Sequence, residues 1–402
     1  MTAPSQPLQM HRLKVMLAGL FSLMLTMGVA RFSFTPLLPV MMDETFLNDF
    51  SGGWLASINY MGYMTGVLIT ASISSLKLKF TLYRIGLIVA ILSTIGMALA
   101  ENYILWSVMR FFAGLTSAAG LLMGSGLILN WMLLHGHRAE LGIHFGGAGL
   151  GIAISAAVAM AMAGTFNWVE QWQIFALVGV ALAIPAWIWL PAPDTSHVTQ
   201  AGEKLIDKPP TKSWMRLLFA AYFCAGFGYV ISATFLVAIV ENQPILKGNG
   251  SLVWLITGLA AAPACVFWDR VARKIGELKT LFIAYGINVV GIVIPAFDHS
   301  FTAVLLSGFL FGATFIGIVS LMLTMVGKFF PTKPAKPMGK LTLSYGTAQI
   351  IAPAISGMLA EASGNYNTPL LLAGGFMVLG MVLIYVLILR SNTSVSSLRR
   401  KS

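Results

Sequence analysis

The chain has 402 residues, 57% of them hydrophobic and 10% charged, with a formal net charge of +11. Soluble domains carry about 25% charged residues, so this composition excludes an ordinary soluble enzyme and points to an integral membrane protein. Its cations lie in short segments between apolar runs, a topological pattern rather than a nucleic-acid footprint, and Cys224 and Cys265 sit inside apolar runs with no disulfide or zinc-type spacing.

Twelve spans are predicted, at 14–42, 51–74, 81–100, 103–130, 141–164, 171–191, 214–240, 251–268, 279–297, 301–327, 340–360 and 369–390. The first is a retained span, since it lacks the small-residue cleavage site of a leader. It holds the most informative stretch, GVARFSFTPLLPVMM over residues 28–42, where Arg31 is the only charge between Lys14 and Asp43. At ~1.5 Å per residue, Arg31 lies roughly 18 Å from the Asp43 end and about 25 Å from the Lys14 end. A lone cation at that depth costs ~2.5–3.5 kcal/mol on insertion scales and faces a bundle interior or a watery cavity. Pro36 and Pro39 deprive the carbonyls of Phe32 and Thr35 of their usual donors. Irregular backbone at membrane depth survives only against protein or a polar cavity, so this helix reads as a cavity wall. Span four carries a second deep cation, Arg110, with Glu101 roughly 13 Å above it, a geometry that also suits snorkelling towards the interface.

Loop charges test the count. With both termini inside, the inner segments hold the cations from Arg12 and Lys14 to Arg399, Arg400 and Lys401, and the outer loops hold only Lys247. Acids occupy span ends and loops, none deep in a span. His135 and His137 flank a glycine in an inner loop and lack the acids or thiols of a metal site. His144 opens span five, where a structural role is expected. Between spans six and seven runs the proline-rich PAPDTSHVTQAGEKLIDKPPTKS. The expected organisation is therefore a six-helix bundle over 1–191, a cytoplasmic linker over 192–213, and a second six-helix bundle over 214–402 ending in a basic tail that meets anionic headgroups.

The halves repeat. A shift of 198 lays GVARFSFTPLLP (28–39) on GFGYVISATFLV (226–237), a shift of 200 lays Ser51, Trp54 and Leu55 on Ser251, Trp254 and Leu255, and a shift of 199 lays Gly147 on Gly346. Duplicated bundles with a site at their interface are the logic of secondary transporters. The repeat sets Tyr229 opposite Arg31 and Ser232 opposite Phe34. Tyr229, Ser232, Thr234 and Thr35, with Gln349 on span eleven, supply neutral hydrogen-bonding groups near mid-membrane, although such residues also serve helix packing. Phe32, Phe34, Phe227 and Phe235 read as core or lipid-facing.

Twelve spans as six plus six, with a polar central linker, resemble the major facilitator superfamily. Asp269-Arg270-Val-Ala-Arg273-Lys274 resembles its acidic-basic loop motif, of which SSLKLKFTLYR is a degenerate first-half copy. Arg110 with Gly114 resembles its fourth-helix motif. Gly142, Gly146, Gly147, Gly149 and Gly151 resemble the glycine-rich fifth helix of exporters without its proline. ARFSFTPLLPVM, GFGYVISATFL and KLTLSYGTAQIIAP are similar, more narrowly, to the YbfB/YjiJ family of bacterial transporters.

The resemblance implies an all-α membrane protein of twelve transmembrane helices in two pseudo-symmetric bundles, with spans one, four, seven and ten around the cavity and Asp269, Arg270 and Arg273 in gating. The expected function is alternating-access transport of a small organic solute, anionic or amphipathic, across the bacterial cytoplasmic membrane by a monomer, with both termini cytoplasmic. Substrate-binding candidates are Arg31, Thr35, Arg110, Tyr229, Ser232, Thr234 and Gln349. Efflux of lipophilic compounds and a non-transporting sensor remain as alternatives. No phosphate-cradling loop, nucleophile with base or paired acids is legible, so no enzyme activity and no cofactor are expected, and proton coupling stays open.

Overall fold

The apolar runs are helical because a membrane interior leaves backbone N–H and C=O groups to be satisfied within their own segment. The computed structural model describes residues 6–135, 141–193, 209–330 and 335–399, of which 6–9, 133–134, 335–336 and 392–399 are described by backbone alone. The first rod is α1 (Gln6–Leu23), a π-helical stretch (Met24–Phe32) and α2 (Phe34–Glu44). There follow α3 (Asp49–Ser72) and α4 (Leu76–Gly96). The fourth rod is α5 (Tyr103–Ala118), a second π-helical stretch (Ala119–Met123) and α6 (Gly124–Leu134). The fifth and sixth are α7 (Gly142–Met162) and α8 (Trp168–Ile188). The second set opens with α9 (Lys212–Glu241), then α10 (Gly250–Ala261) and α11 (Ala264–Ile275) as one bent rod. It closes with α12 (Glu277–Phe297), α13 (Phe301–Phe329), α14 (Ala335–Ser363) and α15 (Asn367–Arg399).

Among the described residues, nine rods are long and apolar enough to cross a membrane, and the bent α10–α11 pair makes ten. The other two, α3 and α14, are long but more polar. Their polarity has a place to go, because they pack on each other where the two sets of six meet. A methyl on Gly53 of α3 would stand 2.5 Å from the Pro353 carbonyl oxygen, and one on Gly357 of α14 would stand 2.3 Å from that of Asp49. A second seam joins α7 and α10, where methyls on Gly149 and Gly258 would stand 2.3 Å from the backbone nitrogens of Ala262 and Ala153. Close approach is what small residues permit between membrane helices. The glycines of α7 divide their labour: Gly147 and Gly151 face Leu20 and Gly28 of the first rod, while Gly142, Gly146 and Gly149 face α10 and α11.

One expectation needs correction, the loop placement of the acidic-basic cluster, and two others gain detail. Span eight is bent by 45° at Ala262–Pro263, as an interior proline dictates. Asp269, Arg270, Arg273 and Lys274 belong to the helix α11 rather than to a loop; it runs on until Gly276 at φ 90°. The 192–213 linker ends at Thr211, whose side chain caps α9 by accepting from the Trp214 N–H at 3.3 Å. Residues 194–208, His137, Arg400 and Lys401 lie outside the described residues.

Candidate functional site

Arg31 lies in the last turn of the first π-helical stretch and is 4% exposed. Wider π winding pairs each carbonyl with a donor five residues on, and five residues after Arg31 stands Pro36, which has none. Arg110 makes good the deficit. It is buried on α5, and its guanidinium donates to the carbonyls of Ala30 at 3.2 Å and Arg31 at 3.3 Å while resting 4.4 Å over the Phe34 ring. Its own carbonyl accepts from the Asn59 side-chain amide at 2.8 Å. Arg110 therefore does not snorkel; it serves as a backbone clamp. Gly114, one turn on, lets α5 approach the Asn59 carbonyl oxygen, where a methyl would stand at 1.8 Å.

Among the described residues, the Arg31 guanidinium reaches no carboxylate. It lies over three rings, Tyr60 at 4.4 Å, Tyr63 at 4.9 Å and Phe32 at 5.3 Å, and its Nε has no hydrogen-bond partner. A hydrogen bond crosses the seam between the halves here, Thr35 Oγ1 donating to the Ala233 carbonyl at 2.6 Å. Residues 35 and 233 are 198 apart, the repeat offset, so equivalent positions of the two halves meet near a pseudo-two-fold axis.

Arg31, Thr35, Arg110 and Thr234 share one small void with Asn59 and Tyr60, about 10 Å³ in volume, the space of roughly one water. This void is walled by rods one, two, four and seven. Rod ten stands behind it, with Phe311 and Phe315 stacked near Tyr229. Ser232 and Gln349 are buried outside its lining, and Gln349 Oε1 has no hydrogen-bond partner. Tyr60, Tyr63 and Asn59 on α3 and Tyr345 on α14 escaped the sequence reading. The signal was the INYMGY segment, with two tyrosines at the i, i+3 spacing of one helix face.

Above the void, towards the end of the molecule where Asp43, Glu44, Asp49 and Glu241 gather, opens a vestibule of about 770 Å³. Pro36, Val237 and Ala238 line it, so the Thr35–Ala233 contact lies at its floor. Several acids here tie down the ends of helices. Glu44 accepts from the Trp168 N–H at 2.8 Å, and Glu241 accepts from Gly248 and Gly250 at 2.7 and 2.8 Å. Beside the vestibule the halves are latched: Asn48 Nδ2 and the Phe50 N–H donate to Glu361 at 3.1 and 3.3 Å, and the Tyr366 hydroxyl donates to Asp49. Burial, and secondarily Glu361, push the Asp49 carboxyl above its ordinary value, although the Tyr366 hydroxyl opposes the shift.

At the opposite, basic end, Asp269 and Arg273 pair at 2.5 Å within α11, both exposed, and do not bridge the halves. His135 stacks on Trp131 at 4.1 Å, and His144 is fully buried against Ser125 at 2.9 Å. Both cysteines are buried free thiols.

Two sets of six helices meeting over a central arginine-lined void, with a vestibule on one side, form the architecture of the major facilitator transporters. The chain belongs to the family described as the uncharacterised MFS-type transporter YbfB, which matches residues 23–385. It is 22% identical over 284 residues to the uncharacterized MFS-type transporter YceJ of Bacillus subtilis (strain 168), covering 65% of this chain and 67% of that one. Among solved structures it is similar to a point mutant of the nucleoside transporter NupG, with TM-score 0.74 at 14% identity over 93% of this chain and 99% of that one. A bacterial homologue of the human lysosomal transporter Spinster, inward-facing and unoccupied, gives TM-score 0.70 at 13% identity over 96% and 98%. These last two likenesses are of fold.

Proposed function

We propose that the protein is a secondary transporter moving a small organic anion across the bacterial cytoplasmic membrane, with Arg31 as the anchor for the anionic group. The observation that carries this reading is a buried guanidinium at the seam between the halves with no carboxylate to neutralise it. A desolvated cation gains most from a partner that brings its own negative charge, and a solute can be that partner. Arg110, committed to backbone carbonyls, supports the site rather than binding the solute.

The two bundles, with the second opening at α9 (Lys212–Glu241), act as the rocking bodies in a monomer, the link between them and both termini are cytoplasmic, and lipid headgroups flank the basic end. Thr35 and Tyr229 close the seam over the site, and Thr234 lines it. Ser232 and Gln349 are assigned to the seam as the halves part. Asp269, Arg270 and Arg273 are assigned to the basic-end gate of the alternate state. A thermal-shift series on the detergent-purified protein with small carboxylates, neutral metabolites and lipophilic cations tests the reading, because binding to the folded state raises apparent stability. Carboxylates are expected to stabilise the parent and not Arg31→Ala. Equal stabilisation of both by lipophilic cations would replace this reading with efflux of lipophilic compounds.

A further inference from the structure

We propose that the solute is a monoanionic aromatic acid whose ring enters the seam between Tyr60 and Tyr63 on one side and Tyr229 and Tyr345 on the other. This deepens the anion reading above and rests on it. One half of the seam presents the Arg31 guanidinium flanked by the rings of Tyr60 and Tyr63. The other half presents a run of near-parallel rings. Tyr229 stacks on Tyr345 at 5.9 Å and 28° and on Phe315 at 5.1 Å and 24°, and Tyr345 stacks on Tyr222 at 4.4 Å and 27°.

The volume of the void decides that the seam must open. A space of about 10 Å³ holds one water, whereas small-molecule sites run to ~300–1,000 Å³. Opening breaks the Thr35–Ala233 hydrogen bond and bares ring faces on both walls. An aliphatic acid would pair with Arg31 and leave those faces with poorer partners. A flat ring covers the faces that opening bares, and stacked pairs contribute beyond their buried area.

Charge count limits the solute further. Both arginines keep an Nε without a partner, but Arg110 also donates to two carbonyls and lies over Phe34, so the backbone fixes its position. Arg31 is the cation free to turn to a solute, so one carboxylate is matched. A second carboxylate would have to draw Arg110 off the Ala30 and Arg31 carbonyls and leave those buried acceptors unpaired.

The test is ligand-dependent thermal shift of the full-length protein with benzoate, cyclohexanecarboxylate, phthalate and benzyl alcohol, on the parent, Arg31→Met, Tyr229→Leu and Tyr229→Phe. Melting without ligand reports whether each variant folds. Benzoate is expected to bind the parent about five- to tenfold tighter than cyclohexanecarboxylate, the size of one stacking contact, with phthalate and benzyl alcohol weaker than both. Tyr229→Leu is expected to lower benzoate to the cyclohexanecarboxylate level, Tyr229→Phe to retain most of the preference, and Arg31→Met to lose every carboxylate. Equal, Arg31-dependent binding of benzoate and cyclohexanecarboxylate would overturn the aromatic assignment and leave the anion site standing. Carboxylate binding that survives Arg31→Met, or no carboxylate binding at all, would overturn both.

Discussion

Arg31 and Arg110 share a void and a charge but differ in what they touch. Arg110 satisfies the carbonyls of Ala30 and Arg31, so removing it leaves buried acceptors unpaired at about 1–3 kcal/mol. Among the described residues Arg31 donates to no backbone carbonyl and spends its charge on ring faces, a weaker compensation for burial. Replacing an uncompensated buried ion by an apolar side chain of similar volume is often neutral or stabilising. Arg110→Met is therefore expected to lower the melting temperature in detergent, and Arg31→Met to leave it unchanged or raise it. A larger drop for Arg31→Met would reverse the assignment of roles.

At the scale of elements, the seams are set by glycine. Gly149→Val places carbon against the Ala262 backbone, 2.3 Å from the first added atom, and overpacking of this kind costs roughly 1–3 kcal/mol. Gly126→Ala on α6 meets nothing within 4 Å and is expected to be neutral or slightly stabilising through helix propensity. Melting temperatures of the two variants test the contrast.

The latch between α3 and α14 carries a pH dependence. Asp49 is held above its ordinary value by burial and then by Glu361, so its protonated form is favoured in the latched protein. The stabilisation it contributes is fully present below the ordinary carboxylate value of 3.8 and is lost as pH rises through the raised value. Asp49→Asn, with Tyr366 and Asn48 left in place, is expected to be more stable than the parent at pH 7, with the gain shrinking towards pH 4. A gain independent of pH would show that the Asp49 charge is immaterial to the latch.

For the whole molecule, the observed arrangement is a vestibule at the acidic end above a closed centre, with the latch at Asn48 and Glu361 beside it. Alternating movement of the halves requires such contacts to be made and broken. Joining Asn48→Cys and Glu361→Cys with a short, reducible cross-linker is expected to stop solute flux in vesicles, and reductant to restore it. The native thiols are buried, so labelling falls on the introduced pair. Undiminished flux in the cross-linked protein would mean that this seam stays shut throughout transport.

Helix type and order, the six-plus-six duplication and the burial of Arg31 were legible in the sequence. They follow from local rules: apolar length, loop charge and the absence of any countercharge between Lys14 and Asp43. Even the 198-residue offset, read as a weak alignment, reappears as the Thr35–Ala233 hydrogen bond. Pro263 was also in view, and the bend it imposes on the eighth rod was a readable signal left unread. What only tertiary structure decided was which residues meet. Two arginines in apolar runs look alike along a chain, and their roles part because the π-helical stretch turns the carbonyls of Ala30 and Arg31 towards α5. Tyr60 and Tyr345 belong to rods that are neighbours in space and distant in sequence, so no local pattern could place them at one seam. Periodicity and composition act within a segment, whereas a binding site at a pseudo-symmetric interface is set by packing between segments.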